Sequence, residues 1–360
     1  MTEPKKANRG EWSELYAFCR IAQQAELQMC DARLEPLSDQ VISVSAIIRK
    51  EGRYNLLEEN LLRADLRDGN QLTLSRAKCG KLSEALLSDI QIKTGSFASE
   101  PGNLALKTFH LLGPKAKSGD KEDLRLSISD PKTRMEIEAG FSLKSYLGNS
   151  STLLNSSNKN TAFRFGLTGS KIDTNEINEI STKSKIKDRL AALIDMGVGL
   201  EFRTCLGEIF NRNLLKIDSL MPQILGCLTL ANYQLTKENK KLIDVIDTKF
   251  FAELMSRAPI ALDIELVKYK MRNLLLDIAL GMIPKKDWDG KQRADGGYVV
   301  VKEAGDLVCF HVYNFGEFSE YLLQNTMFDS PSSTRHSYGH VYEIEGEQFF
   351  DVNCQIRFAR

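Results

Sequence analysis

The segment that decides the fold runs from residue 123 to residue 144 and reads DLRLSISDPKTRMEIEAGFSLK. Apolar and polar residues alternate on both sides of residues 130–133, which is the pattern of two antiparallel strands joined by a turn. If the turn is centred between Lys132 and Thr133, one face of the hairpin is entirely apolar. Its cross-strand pairs are then Leu124–Phe141, Leu126–Ala139 and Ile128–Ile137. Because a slip of one residue would destroy this face, the sequence predicts the register of the hairpin.

The opposite face of the predicted hairpin carries Asp123 and Lys144 together at its open end. A carboxylate such as Asp123 can bind Mg²⁺, which polarises a phosphate and lowers the pKa of a bound water. Lys144 can position or deprotonate that water and can stabilise developing negative charge. The pair therefore suits phosphodiester hydrolysis, although an ordinary salt bridge at a sheet edge would use the same two residue types.

Three other acids of the hairpin do not fit such a site. Asp130 precedes Pro131 in the turn and lies roughly 20 Å from Asp123, at about 3.3 Å of strand per residue. Glu136 and Glu138 are similarly far along the strand from Lys144. We therefore expect all three acids to be turn or surface residues.

The composition is that of an ordinary globular protein, with 48 basic and 48 acidic residues. With this balance, a surface that binds nucleic acid would have to be a local patch. The seven cysteines are scattered without CxxC pairs, which indicates reduced thiols and not a disulfide framework or a zinc site. Because the sequence has neither an apolar leader nor a run of about 18 apolar residues, we expect a cytoplasmic protein.

The remaining pattern is mixed, with helical and strand-like stretches. Apolar spacing predicts mostly helical structure between residues 174 and 283. The other predicted elements are a helix over 11–28, a strand over 41–50, helical structure near 81–90, a polar loop over 113–123, and hairpins over 298–313 and 340–358 with turns at Gly305 and at Glu345-Gly346.

An aspartate at the start of one strand and (D/E)-x-K in the next resembles the PD-(D/E)xK nuclease superfamily. Here Glu122-Asp123 stands for PD and Ser142-Leu143-Lys144 for (D/E)-x-K, so that Ser142 replaces the expected acid. More specifically, RGEWSEL, EAGFSLKSYLGNSSTLLNSS, KIDSLMP and FDSPSSTRHSYG resemble the HpaII family of type II restriction endonucleases. These segments occur in order over nearly the whole chain.

The resemblance implies a mixed α/β fold with a PD-(D/E)xK restriction-endonuclease-like core. It also implies Mg²⁺-dependent cleavage of double-stranded DNA at a short palindrome, CCGG or a related site, by a homodimer with a partner DNA methyltransferase in the same cell. We expect a nuclease core with the catalytic hairpin at 1–173, a helical subdomain at 174–290, and a β-rich C-terminal region at 291–360 that contacts DNA.

Ser142 leaves the implied metal site one carboxylate short. Relatives in the superfamily sometimes supply an acid from another element, and Glu14, beside Phe18 and Ile21 in the predicted N-terminal helix, is our candidate. A solvated helix glutamate is the alternative for Glu14. Glu11, and then Asp173, are the reserve candidates.

Several polar and basic residues are candidates for DNA contacts. Arg335, in the SSTRHSYG loop, is the candidate for reading guanine, because arginine can bind a guanine edge with two hydrogen bonds. The polar run after Lys144 suits phosphate contacts, as does the basic stretch near residue 185, but a plain turn and a solvated helix face explain them equally well. The candidates are Arg335, Ser145, Asn149, Ser151, Lys183 and Lys185.

Two other functions remain open on the sequence alone. The first is a PD-(D/E)xK nuclease with another role, such as DNA repair, which a digest giving no sequence-specific fragments would reveal. The second is a DNA-binding protein with a decayed nuclease fold, disarmed by Ser142, which metal-dependent cleavage would rule out. No Gly-rich phosphate loop or cofactor fingerprint occurs in the sequence, which argues against an ATP-dependent enzyme.

Overall fold

The structure is a computed structural model, and it describes residues 3–115, 122–148, 151–157, 159–235, 241–258, 263–336 and 338–359. The chain divides into two compact units. Unit 1 comprises Met1–Asn149, Ala279–Gly281 and Gln292–Phe318, and unit 2 comprises Ser150–Ile278, Met282–Lys291 and Ser319–Arg360. Each unit combines separate stretches of chain. The division into contiguous domains at 1–173, 174–290 and 291–360 stays a prediction.

The helices are α1 (Arg9–Gln24), α2 (Arg76–Ile92), α3 (Glu100–Thr108), α4 (Thr174–Asn178), α5 (Lys185–Asp195), α6 (Glu208–Ile217), α7 (Met221–Asn232), α8 (Leu242–Ile246), α9 (Lys249–Met255), α10 (Ile264–Leu280), α11 (Phe315–Asn325) and α12 (Ser333–His336), with a 3₁₀ turn at Val312–Asn314. The strands are β1 (Lys6–Asn8), β2 (Glu26–Cys30), β3 (Pro36–Arg49), β4 (Gly52–Leu57), β5 (Leu61–Leu66), β6 (Gln71–Ser75), β7 (Ser96–Ala98), β8 (Leu124–Ser129), β9 (Glu136–Ser145), β10 (Thr152–Leu154), β11 (Ala162–Thr168), β12 (Gly199–Cys205), β13 (Gly297–Val301), β14 (Leu307–His311), β15 (Thr326–Phe328), β16 (Val341–Ile344), β17 (Glu347–Asn353) and β18 (Ile356–Phe358).

Unit 1 is built on a nine-stranded sheet with the order β2-β14-β13-β9-β8-β3-β4-β5-β6. Strand β13 runs parallel to β9 and β14 runs parallel to β2, whereas the other neighbouring strands are antiparallel. Strand β2 also pairs with β3, so that six of the strands form a closed circuit of pairings. The mixed α/β fold class is therefore confirmed.

The predicted hairpin is β8–β9, and its predicted register is confirmed. The pairs are Leu124–Phe141, Leu126–Ala139 and Ile128–Ile137 on one face, with Arg125–Gly140, Ser127–Glu138 and Ser129–Glu136 on the other. In the turn, one carboxylate oxygen of Asp130 accepts hydrogen bonds from the backbone N–H groups of Lys132 and Thr133. Asp130 is thus a turn residue, as predicted, although it is buried and not on the surface.

Helix α1 covers the apolar face of this sheet. It begins with a capping box, in which the Asn8 side chain accepts from the backbone N–H of Glu11 and the Glu11 side chain accepts from that of Asn8. Its side chains reach a core that also contains Phe141 of β9. Within that core Phe18 packs edge-on against Tyr54 and Phe109, with ring centroids 5.1 and 5.2 Å away.

The predicted C-terminal end of this helix, at residue 28, is wrong. Ala25 adopts a left-handed conformation with φ 56° and ends the helix, and Glu26–Cys30 is strand β2. Leu27 and Met29 are buried there, in a strand that pairs with β3 and β14. Tertiary pairing therefore overrides the helical spacing of these residues.

Unit 2 contains a four-stranded sheet, β12-β11-β17-β16, and a three-stranded sheet, β10-β18-β15. Helix α7, which is buried along its whole length, packs against strands β11, β12 and β17. The mostly helical stretch predicted over 174–283 is interrupted by β12, because Gly199–Cys205 pairs with β11. Two strands of this sheet, β11 and β12, were therefore not predicted from the sequence.

Other sequence predictions agree with the structure. Strand β16 turns into β17 through Glu345 and Gly346, whose φ angles of 50° and 87° match a two-residue hairpin turn. The hairpin with Gly305 in its turn is β13–β14. The strand predicted over 41–50 corresponds to the second part of β3, which ends one residue earlier, at Arg49, and the helix near 81–90 lies within α2. The middle of the predicted loop at 113–123 lies outside the described residues.

All seven cysteines are free and buried, as a reduced set requires. In the described part of the chain, no single helix is long and apolar enough to cross a membrane; the pair α6 and α7, bent by 110°, passes that test by length and composition only.

We predict that Asp130→Ala lowers the melting temperature at pH 7 by a few degrees, because Asp130 also accepts a hydrogen bond from the Tyr313 hydroxyl at 2.6 Å. These hydrogen bonds hold the pKa of Asp130 well below its usual range. The stabilisation is therefore present above the unfolded pKa of about 4 and is lost as the pH falls. In thermal melts, the difference between this variant and Asp39→Ala, an exposed control in β3, should begin to shrink below about pH 4 and should vanish only near the lowered pKa of folded Asp130. An equal loss at pH 7 and pH 3 would contradict this assignment.

Candidate active site

The Asp123 carboxylate is held in place by the neighbouring strand. The backbone N–H of Asp123 donates to the carbonyl of Phe141 at 2.9 Å, which fixes the residue at the start of β8. Its Oδ2 accepts from the backbone N–H of Leu143 at 2.7 Å and from the Ser142 hydroxyl at 3.2 Å. The structure therefore brings together Asp123 and Ser142, as the predicted register requires.

Lys144 lies one residue before the end of β9. Residues alternate between the two faces of a strand, so Lys144 shares its face with Ser142. On the adjacent parallel strand β13, Tyr298 lies beside Ser142 and Val300 beside Lys144. Lys144 is 5% exposed. This burial disfavours the ammonium form and lowers the pKa of Lys144 to about 7.

A lysine with such a pKa differs from an ordinary surface lysine. Near neutral pH, a substantial fraction of the Lys144 side chain is the neutral amine, which can accept a proton. The site therefore combines a fixed carboxylate with a group that can act as a base or, when protonated, as a donor.

Near the C-terminal end of β9, helix α1 packs against the opposite face of the strand. The Ser145 hydroxyl forms a hydrogen bond of 2.9 Å with the Ser13 hydroxyl, which anchors α1 to the end of the strand. Ser145 Oγ also accepts from the backbone N–H of Leu147. The predicted DNA contact Ser145 thus lies in the packing between α1 and the sheet.

Glu14 is half-buried on α1, next to Ser13. Its charge raises the pKa of the buried Arg49, although burial lowers that pKa more strongly. The pKa of Lys115 is raised, chiefly by its hydrogen bond with Glu11 and also by the charges of Glu14 and Asp123. Lys115 is thus within electrostatic reach of three acids: the predicted ligands Glu14 and Asp123, and the reserve candidate Glu11.

The other partners of Arg49 and Glu11 are structural. Arg49 donates to the backbone carbonyls of Gly113, Pro114 and Lys115, and so fixes the chain that leads towards Asp123. Glu11 caps its own helix and pairs with the Lys115 ammonium at 3.0 Å. The second reserve candidate, Asp173, is the N-cap of α4 in unit 2.

Sequence analysis missed the position of Glu122. A methyl group added at Gly140 would come within 2.9 Å of the Glu122 carboxyl group, so this carboxyl group lies over Gly140. Gly140 faces the same side as Ser142, and therefore Glu122 covers the face that carries the candidate site. Its carboxylate also pairs with Arg125 at 3.2 Å. Strict alternation would have placed Glu122 on the other face, but it precedes the strand and need not follow that rule.

Asp295 is a second acid that the sequence did not indicate. Its carboxylate accepts the backbone N–H of Gly140 at 2.7 Å. The following residue, Gly296, donates its own backbone N–H to the Gly140 carbonyl at 2.7 Å. Asp295 therefore secures the start of β13 against β9, two residues before Ser142.

The described residues contain no group of three or more His, Cys, Asp or Glu side chains that could by itself hold a metal ion. Mg²⁺ usually retains several waters and binds one or two carboxylates.

Residues predicted to contact DNA are found in both units. Arg335 is exposed on α12. Lys183 and Lys185 line a cavity of unit 2 together with residues of the SSTRHSYG loop, so the structure brings two separately predicted segments together. Ser151 precedes β10, and its carbonyl accepts from the backbone N–H of Phe358. Asn149 lies outside the described residues.

A match to a protein-family model identifies the class of the protein. The model of a family described as HpaII restriction endonuclease matches residues 8–358. The chain is accordingly a site-specific deoxyribonuclease of type II. Enzymes of this class generally need a divalent metal ion.

The particular family is equally clear. Type II restriction enzyme HpaII from Haemophilus parainfluenzae is 34% identical over 364 residues, which cover 99% of this chain and 100% of that enzyme. The chain therefore belongs to the HpaII restriction endonuclease family, and the resemblance seen in the sequence is confirmed. No solved structure matches the chain significantly.

We predict that Lys144→Met raises the melting temperature, and more so at pH 6 than at pH 10. The pKa of Lys144 is about 7 in the folded chain, against about 10.4 for an unfolded chain. The cost of burying the ammonium is therefore complete below pH 7 and disappears as the pH approaches 10.4. Thermal melts at the two pH values measure this, with the exposed Lys50→Met as the control. If Lys144→Met instead lost stability equally at pH 6 and pH 10, Lys144 would be a stabilising structural cation.

Proposed function

We propose that this chain hydrolyses phosphodiester bonds in both strands of double-stranded DNA at a short palindrome, CCGG or a related sequence, with Mg²⁺ as cofactor. The observation that supports this most directly is that Asp123 is held by two hydrogen bonds from Ser142 and Leu143, while Lys144, on the same face of the hairpin as Ser142, is buried with a pKa of about 7. The recognition sequence is proposed from the family, whereas the site is proposed from the residues themselves.

We assign Glu122-Asp123 and Ser142-Leu143-Lys144 to the PD and (D/E)-x-K positions of a PD-(D/E)xK nuclease. Asp123 and Glu14 would hold Mg²⁺, with the Ser142 hydroxyl beside them. When bound, the ion would polarise the scissile phosphate and lower the pKa of an attacking water. The neutral amine of Lys144 would accept a proton from that water, and its ammonium form would stabilise charge on the phosphate.

Other parts of the proposal concern the DNA and the assembly. Arg335 would read a guanine edge, while Asn149 and Ser151 would contact phosphates. Ser145 does not belong to this set, because its hydroxyl is engaged with Ser13 of α1. A palindrome has two-fold symmetry and this chain carries one candidate site, so a homodimer would place one site on each strand. In the cytoplasm, a cognate DNA methyltransferase would protect the same sequence in the cell's own DNA.

The test of this function is a digest of phage DNA in the presence of Mg²⁺, with the fragment ends sequenced. Ends that share one palindrome support the proposal and also give the cut position. Cleavage without sequence preference would instead support a repair or other nuclease. Absence of cleavage at any Mg²⁺ concentration, by a chain that binds DNA, would contradict it.

We predict that Asp123→Asn abolishes cleavage and preserves DNA binding, because it removes a metal ligand and leaves the apolar face of the hairpin unchanged. Removing a carboxylate that repels phosphate should strengthen binding in the absence of metal. Gel shift and digestion assays separate these two effects. Asp130→Ala, in the turn of the same hairpin, is the control and should cut DNA below its own melting temperature. Cleavage by Asp123→Asn at the wild-type rate would show that the hairpin does not carry the active site.

We predict that Glu14→Gln reduces turnover and weakens Mn²⁺ binding, measured by electron paramagnetic resonance without DNA, roughly tenfold, since it removes one of two charged ligands. Because the charge of Glu14 also stabilises the buried Arg49 guanidinium, the melting temperature of the variant measures any loss of stability separately. Glu122→Gln is the competing variant and Glu26→Gln, exposed in β2, is the control. Weakened Mn²⁺ binding in Glu122→Gln but not in Glu14→Gln would show that Glu122, and not Glu14, is the second metal ligand.

A further inference from the structure

Unit 2 contains a cavity of about 500 Å³ that the proposed cleavage reaction does not use. Residues that are far apart in sequence line it: 183–187 at the start of α5, 232–233 at the end of α7, and 330–333 with 338 around α12. The cavity lies wholly within unit 2, and its volume is in the range of sites that hold a nucleotide-sized group.

The charge of this cavity is positive. Lys183, Lys185 and Lys187 line it, and none of the described lining residues is Asp or Glu. The acids nearest in sequence have other partners. Asp188 accepts from the Thr182 hydroxyl, and Asp329 pairs with Arg357. Among the described lining residues there are therefore three positive charges and no negative one, which favours a ligand that carries negative charge.

The walls of the cavity are also held in fixed positions. The Tyr338 hydroxyl donates to the carbonyl of Pro331 and lies 3.3 Å from the Tyr233 hydroxyl, so the loop around α12 is fastened to the end of α7. One turn beyond Lys185, the buried Arg189 donates to the backbone carbonyls of Asn178 and Ile180. A rigid arrangement loses little conformational entropy when it binds a ligand.

Hydroxyl groups line the cavity as well as lysines. Ser330, Ser332 and Ser333 all line it, and Ser332 Oγ accepts from the backbone N–H of Arg335 at 3.2 Å. Ser184, also a lining residue, caps α5 without a side-chain hydrogen bond to the helix. Ammonium and hydroxyl donors around one opening are the groups that contact phosphate oxygens in complexes with DNA.

We propose that this basic cavity binds backbone phosphates of the DNA duplex. This contact would place Arg335, which lies two residues beyond the lining residue Ser333, against the base edges. The inference rests on the proposed function and assigns different roles to the lysines and to Arg335 of unit 2. The lysines supply affinity that is independent of sequence, and Arg335 supplies discrimination between sequences. Phosphate contacts of this kind fix the register of a protein on DNA, whereas base contacts specify the site.

The test uses the full-length chain in EDTA, so that binding is measured without cleavage whichever residues hold the metal. Fluorescence anisotropy gives the Kd for two duplexes, one with the recognised sequence and one without, between 50 and 300 mM salt. The variants are the triple substitution Lys183→Gln, Lys185→Gln, Lys187→Gln and the single substitution Arg335→Gln. Lys249→Gln, an exposed lysine of unit 2 that does not line the cavity, is the matched control.

We predict that the triple variant binds both duplexes at least tenfold more weakly, and that its salt slope falls by about 0.9 for each phosphate that the lysines no longer neutralise. Arg335→Gln should weaken binding to the specific duplex about tenfold or more and leave the other duplex nearly unchanged. Unaltered affinity and slope in the folded triple variant would overturn the proposal. It would also be overturned if the triple variant lost binding of pyrophosphate but not of DNA, since the cavity would then hold a small phosphate ligand. Cleavage by the wild-type chain is tested independently by the phage digest.

Discussion

The structure depends above all on the register of the β8–β9 hairpin. The alternation of residues on these two strands sends one set of side chains into the core under α1 and the other set to the face that carries Ser142 and Lys144. A slip of one residue would exchange the two sets of side chains between the faces, so the packing of the core and the geometry of the site are fixed by the same hydrogen bonds. The backbone amide of Leu143 links the packing of the core to the geometry of the site, because it belongs to strand β9 and also donates to the Asp123 carboxylate.

The same arrangement explains why Lys144 is buried. Its neighbours on β13 are buried as well, and the ring of Tyr298 packs at a tilt against that of Phe318, with ring centroids 4.6 Å apart. Such surroundings exclude water and destabilise an ammonium group, which costs folding free energy. In return, the amine is available near neutral pH at a position that is fixed by the strand. The large apolar core on the opposite face provides stability that can tolerate this cost.

The sequence predicted local features well and distant ones poorly. The register of β8–β9, the β13–β14 hairpin and the Glu345-Gly346 turn all followed from period-two alternation next to turn residues, which are properties of neighbouring residues. The end of α1 and the strand β12 could not be obtained in this way, because pairing with strands remote in sequence decides both. Similarly, Lys183 and Ser332 were each noticed separately, but only the fold shows that they line one cavity.

The serine at position 142 has a physical consequence for Asp123 that does not depend on any metal ion. A carboxylate there would face the Asp123 carboxylate across the hairpin, and the two would repel each other whenever no cation lies between them. The Ser142 hydroxyl instead donates a hydrogen bond to Asp123, as does the amide of Leu143. The position of Asp123 is therefore fixed by the protein alone. Under the proposed function, serine in place of a carboxylate leaves the site one negative charge short for holding Mg²⁺. Two acids would restore that charge: Glu14 on α1, the helix that covers the apolar face of the sheet, or Glu122, whose carboxyl group lies over Gly140 on the other face. In the first case the ion would be held through the packing of a helix against the sheet, and in the second by the hairpin segment alone.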